Sequence, residues 1–140
     1  MRTSGKPLAI DTNVILRYIL RDDQILSGKA KAIFDAVEAG RMRVLCHPVI
    51  LGEVVWVLAS HYKTPPEKIV ENLEPLLKAD CFVISDKNVW LRALRLYAES
   101  VPHFADACAC AAAIEDCDGK LLSFDRKLSA IKGVSRSESV

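Results

Sequence analysis

Apolar and polar positions fall in blocks along this chain. Short apolar runs at residues 7–10, 43–46, 81–84 and 121–124 are of strand length. Each is closed by a turn or cap residue: Asp11, Pro48, Ser85 with Asp86, and Asp125. Between the runs, apolar residues recur at helical spacing. Across 27–39, Ala30, Ile33, Phe34 and Val37 lie on one stripe. Across 67–77 the stripe holds Ile69, Val70, Leu73, Leu76 and Leu77, and Pro65-Pro66 suits a helix start. Residues 89–97 and 105–114 supply two more helical patterns, and helices are also expected after Asp11 and from Pro48. A fifth strand is expected at 133–136. Strands alternating with helices predict an α/β fold: one domain over 1–140, with a parallel sheet of about four to five strands and helices on both faces. Residues 1–6 and 136–140 are expected to be flexible ends.

Composition narrows the class. The chain has 140 residues, 51% of them hydrophobic, with 19 basic and 18 acidic side chains and a net charge of +1. That balance excludes a disordered tail, a collagen-like repeat and a coiled coil. It also means that any affinity for nucleic acid must come from local features. No apolar run reaches the ~18 residues of a membrane span, and the polar stretch before Pro7 does not read as a secretory signal. The five cysteines, Cys46, Cys81, Cys108, Cys110 and Cys117, form no C-x-x-C pair. Their odd number fits reduced thiols in a cytoplasm. Cys108 and Cys110 point to different sides of an alanine-rich helix, so they read as small buried hydrophobes rather than zinc ligands.

Parallel α/β sheets present ligand sites beyond the carboxyl ends of their strands, and four acids belong there. Asp11 ends the first strand, Asp125 follows the fourth, Asp106 opens the alanine-rich helix and Glu53 lies one turn into the helix from Pro48. Asp11, Asp106 and Asp125 each also suit a helix cap or first turn. Glu53 does not suit a solvated face. Its helical neighbours Val49, Ile50, Trp56 and Val57 are all apolar, which predicts a carboxylate set in an apolar surface that is paired, coordinated or protonated. Gly52 beside it suggests a close backbone approach. Convergent carboxylates repel unless a cation lies among them, and oxygen-only ligands select Mg2+ or Mn2+ over zinc. Such a cluster supports phosphodiester hydrolysis. No Walker A or G-x-G-x-x-G cradle is present to favour a nucleotide cofactor.

The stretches IDTNVILRYILRDD from Ile10, PVILGEVVWVL from Pro48, FADACACAAA from Phe104 and LLSFDRKL from Leu121 together resemble PIN-domain ribonucleases, in particular the VapC-type toxins of type II toxin–antitoxin systems. The resemblance implies a catalytic and metal-binding tetrad of Asp11, Glu53, Asp106 and Asp125 around one or two Mg2+ or Mn2+ ions. It implies supporting polar roles for Asn13 and Ser123. It further implies RNA as substrate, inhibition by a cognate VapB-type antitoxin, and a homodimer. The Ala-Cys-Ala-Cys run after Asp106 departs from the larger aliphatics usual in the family, which bears on packing alone.

Charge and hydropathy bear on those partners. With the four acids set aside, 19 basic residues face 18 less four acidic ones, a mildly basic remainder. Arg17, Arg21, Arg126 and Lys127 stand near the candidate site as RNA contacts. His47, His61 and His103 lack a partner pattern and read as structural or solvent-facing. Asp22, Asp23, Asp116 and Asp118 read as turn or helix-end acids. After Asp11, Val14, Ile15, Leu16, Tyr18, Ile19 and Leu20 leave only Arg17 polar, and the helix around Trp56 is similarly apolar. These helices are expected to meet a second copy or an antitoxin segment.

Two other classes compete with the nuclease. A receiver or dehalogenase-like phosphatase also uses strand-end acids, but Asn13 stands where the latter needs a second Asp, and Cys46-His47 where the former needs its phosphorylated one. A non-catalytic RNA- or protein-binding PIN-like module is the other alternative. Calorimetry with Mn2+ separates it from the nuclease: heat of binding is expected for an intact acidic tetrad, and none for a module that only binds.

Overall fold

Each short apolar run becomes a strand of two or three residues, and each striped segment a helix. The computed structural model describes residues 5–139. In chain order the elements are β1 (Leu8–Ala9), α1 (Thr12–Leu20), α2 (Gln24–Glu38), β2 (Val44–Leu45), α3 (Pro48–Ser60), α4 (Pro66–Lys78), β3 (Phe82–Val83), α5 (Lys87–Glu99), α6 (Phe104–Asp116), β4 (Lys120–Leu122), a 3-10 helix (Arg126–Ala130) and β5 (Ser135–Ser137). They form two compact units, Met1–Ser85 and Asp86–Val140.

In the first unit the strands pair in parallel in the order β1-β2-β3. Leu8 stands opposite Val44, and Val44 opposite Phe82. The ladder continues past the strand ends, with the Ile10 N–H donating to the Leu45 carbonyl at 3.1 Å. The connections between these strands are helical, as parallel pairing requires. Phe34 of α2, Leu51, Val54 and Leu58 of α3, Ile69 and Leu77 of α4, and Phe82 of β3 are all nearly or fully excluded from solvent. Side-chain caps begin the first three helices. Asp11 caps α1, Asp23 caps α2 through bonds from the Ile25 and Leu26 N–H groups, and His47 caps α3 with Nδ1 accepting from Val49. Asp23 and His47 thus have structural work, as their sequence setting predicts.

In the second unit α5 packs against α6. Small side chains at Ala107, Cys110 and Ala111, all fully buried, suit a close helix–helix approach. Phe104 anchors one end, its ring 5.4 Å from Tyr97 and 6.4 Å from Trp90. β4 and β5 pair in parallel, with Leu121 opposite Arg136.

The α/β class and the five strands agree with the sequence reading, but the strands form a three-stranded and a two-stranded sheet rather than one sheet. Apolar patterning locates strands and says little about which of them pair. The expected loose tail also needs correction. Arg136 and Ser137 belong to β5, and Arg136 makes three side-chain hydrogen bonds. Residues 1–4 of the other expected loose end lie outside the described residues. The 3-10 helix had no apolar stripe to announce it.

β4 and β5 meet through a glycine contact. The Gly119 carbonyl accepts from the Ser135 N–H at 2.7 Å. Gly119 has φ +81, and a Cβ there would collide with the Gly133 carbonyl oxygen. Both the backbone conformation and the space demand glycine. Gly119→Ala is expected to cost about 1–3 kcal/mol of stability, read as a lower denaturant midpoint. An unchanged midpoint would refute the close approach.

Candidate active site

Asp11 stands where β1 hands the chain to α1. Its backbone is extended, and its Oδ1 accepts from the Val14 N–H at 3.2 Å. The capping role and the candidate ligand role therefore fall on one carboxylate: Oδ1 is engaged, while Oδ2 has no hydrogen bond among the described residues. Asn13 follows, exposed, on the first turn of α1. Glu53 lies on α3, which Pro48 and the His47 cap begin.

These residues meet. Asp11, Thr12, Asn13, Leu16, Glu53, Val57, His61 and Tyr62 line one open groove of about 470 Å³. Glu53 is exposed, as are Val49 (66%) and Trp56 (63%) on the same helix. The expected burial of Glu53 is thus corrected. Val49 and Trp56 face outward with it while Ile50 and Val57 are half-buried, and its carboxylate keeps access to water. Gly52 is corrected too, because a Cβ there would meet open space.

The other two acids belong to the second unit. Asp106 is in the first turn of α6, where the helix dipole favours a negative charge, and it does not cap the helix. Asp125 caps the 3-10 helix, its Oδ1 accepting from the Lys127 N–H at 3.0 Å. Both lie near Cys110. Burial pushes this thiol above its ordinary range, and the charges of Asp106 and Asp125 push it further. Within neither unit do three or more His, Cys, Asp or Glu side chains form a metal-holding group among the described residues.

The segment bearing Asp125 is tied down. The Ser123 hydroxyl accepts from the Asp125 N–H at 3.0 Å, so its observed contact is with the backbone. Arg136 donates from Nη1 to the Ser123 carbonyl at 2.7 Å and from Nε to the Ser129 hydroxyl at 2.7 Å. This arginine had no sequence signal, because only strand pairing brings it back to residue 123.

Among the candidate RNA contacts, Arg17 is paired with Asp22 at 2.9 Å, and hydrogen bonding to that carboxylate holds its pKa above the ordinary value. Arg21, Arg126 and Lys127 are exposed. Thr12, His61 and Tyr62 are groove residues that the sequence reading did not single out for the site. A signal existed for His61: Glu53, Val57 and His61 recur every four residues on one helix face.

The chain matches the PIN-domain family profile over residues 8–134, across both units. It belongs to the PIN-domain family, whose members are generally metal-dependent nucleases. A comparison with curated proteins returns no match. The oxygen-rich lining at Asp11, Asn13 and Glu53 fits the hard divalent ions such nucleases use.

All five cysteines are free thiols. Burial pushes Cys46 up to about 11 and Cys108 up to about 12, whereas Cys117 is exposed. A raised pKa keeps a thiol protonated and unreactive at neutral pH. Iodoacetamide at pH 8 is therefore expected to label Cys117 first and to leave Cys46 and Cys108 unmodified in the folded protein, as read by peptide mass. Early labelling of Cys46 would contradict this. Arg136→Ala is expected to cost about 1–3 kcal/mol by stranding the Ser123 carbonyl and the Ser129 hydroxyl, measured by chemical unfolding.

Proposed function

We propose that this chain is a metal-dependent endoribonuclease of the VapC toxin type, hydrolysing RNA phosphodiester bonds and restrained by a VapB-type antitoxin. The observation that carries the reading is the groove that brings Asp11, Asn13 and Glu53 together in a chain of the PIN-domain family.

In this reading Asp11, Glu53, Asp106 and Asp125 are the ligands of one or two Mg2+ or Mn2+ ions that the resemblance to VapC-type toxins implies. A divalent ion in that setting supplies a Lewis acid for the phosphate and makes a water nucleophilic near neutral pH. The chain's own groups do the rest. Asp11 reaches the groove through a cap that fixes its backbone, so little side-chain freedom is lost on binding. The Asn13 amide, at the groove wall, donates to a phosphate oxygen. Ser123 and Arg136 keep Asp125 in place, while Arg126 and Lys127 offset phosphate charge from the exposed 3-10 helix.

The partner reading rests on exposed apolar surface. Val49 and Trp56 leave α3 with a broad outward apolar face, fitting a second copy or an antitoxin segment. The Tyr18 side of α1 is less available, because the Tyr18 ring lies 4.7 Å from Phe34 of α2. Among the described residues, no helix is long and apolar enough to cross a membrane. Five free thiols fit work in a reducing cytoplasm.

Asp11→Asn separates the cap from the chemistry. Asparagine caps a helix about as well as aspartate, so the bond from Val14 survives while the negative charge is lost. The variant is expected to unfold at the same midpoint as the parent and to lose more than about a hundred-fold in Mn2+-dependent RNA cleavage, since even residues behind metal ligands are worth 10–100-fold. Normal cleavage by the variant would overturn the assignment. Asp11→Ala is expected to lose the same activity and about 1 kcal/mol of stability besides.

A further inference from the structure

The groove that holds Asp11 and Glu53 has an aromatic end. His61 and Tyr62 lie just past the last turn of α3 and both line the groove. Their ring centroids are 4.8 Å apart with planes at 80°. In such an edge-to-face pair one ring offers its edge to the face of the other. Whichever ring supplies the edge, Tyr62 keeps at least one face that His61 does not cover, and Tyr62 is 42% exposed.

The pair is also held in place by backbone. The His61 and Tyr62 N–H groups both donate to the Val57 carbonyl, at 2.9 and 3.2 Å. Lys63 then turns left-handed with φ 54, and the Thr64 N–H closes onto the Leu58 carbonyl at 2.9 Å. These bonds tie the end of α3 and the two residues after it to the helix's last turns. An exposed aromatic on a fixed backbone gives contact area at little entropic cost on binding. It stands in the same groove as two carboxylates suited to a divalent ion. The Arg17 guanidinium is also near enough for the Tyr62 phenol to act on it electrostatically.

We infer that Tyr62, braced by His61, is a stacking platform for one unpaired nucleobase of the RNA whose phosphate is engaged at Asp11 and Glu53. This rests on the nuclease reading for the identity of the ligand and adds a positioning residue to it. Bases flipped out of a helix or in single strands stack on aromatic side chains with little regard to sequence. Base-paired nucleotides cannot, because their faces are already covered. The platform therefore selects an unpaired nucleotide next to the phosphate that is cut, and it acts through affinity rather than through the chemical step.

The test uses the full chain with a fluorescent single-stranded RNA oligonucleotide, reading both anisotropy and Mn2+-dependent cleavage. Tyr62→Ala is expected to weaken binding and raise KM by about ten-fold, with a much smaller effect on kcat. Tyr62→Phe keeps the ring and is expected to stay within about two-fold of the parent. Oligonucleotides with a single abasic site, moved along the strand, supply the second readout. At one position the missing base should cost the parent as much as Tyr62→Ala does and cost that variant nothing more. Failure of phenylalanine to rescue, or abasic and alanine losses that multiply at every position, would overturn the platform. So would absence of RNA binding by the parent. RNA bound in a ring-dependent way but left uncut would keep the platform and remove the nuclease reading.

Discussion

The bond from the Val14 N–H to Asp11 Oδ1 is the constraint on which the candidate site turns. A parallel strand two residues long gives the backbone little to hold, and the chain must convert to helix at once. Asp11 makes that conversion by satisfying an orphan N–H of the first helical turn. The same carboxylate is thereby held at the carboxyl edge of the sheet, where Asp11 lines the groove. Under the proposed function, fold and chemistry share this side chain, and their demands differ. The cap needs an oxygen, which asparagine also offers, whereas a cation needs the charge.

The second unit solves a related problem by other means. Asp125 follows a three-residue strand and begins only a short 3-10 helix, too little structure to hold a carboxylate by itself. Its restraint comes from Ser123 and from an arginine on the neighbouring strand. Gly119 allows that strand to pair at all, by letting the backbone at Gly133 approach where a Cβ would not fit. A chain of small contacts therefore runs from two glycines, through β5 and Arg136, to the segment that carries Asp125.

Much of this was legible in the residues. The apolar stripes located the helices to within a few positions, because a buried helix face repeats with the helix period whatever it packs against. Asp11 was legible as a strand-end acid suited to capping, and the fold brings it into one groove with Asn13 and Glu53. Glu53 is exposed despite its apolar neighbours. Apolar neighbours predict burial only if another element covers them, and here Val49 and Trp56 are open to solvent with it. Gly52 likewise has open space where a Cβ would stand.

The α/β class, the positions of strands and helices, and the acids that end them were readable from the residues, since all of these follow from local period and capping chemistry. Which strands pair, the return of Arg136 to Ser123, and the groove that His61 and Tyr62 share with Asp11 emerge only in the folded chain. Those facts depend on contacts between residues far apart in the chain. Local pattern carries no record of which distant segments will meet, because that is settled by how the buried faces pack together.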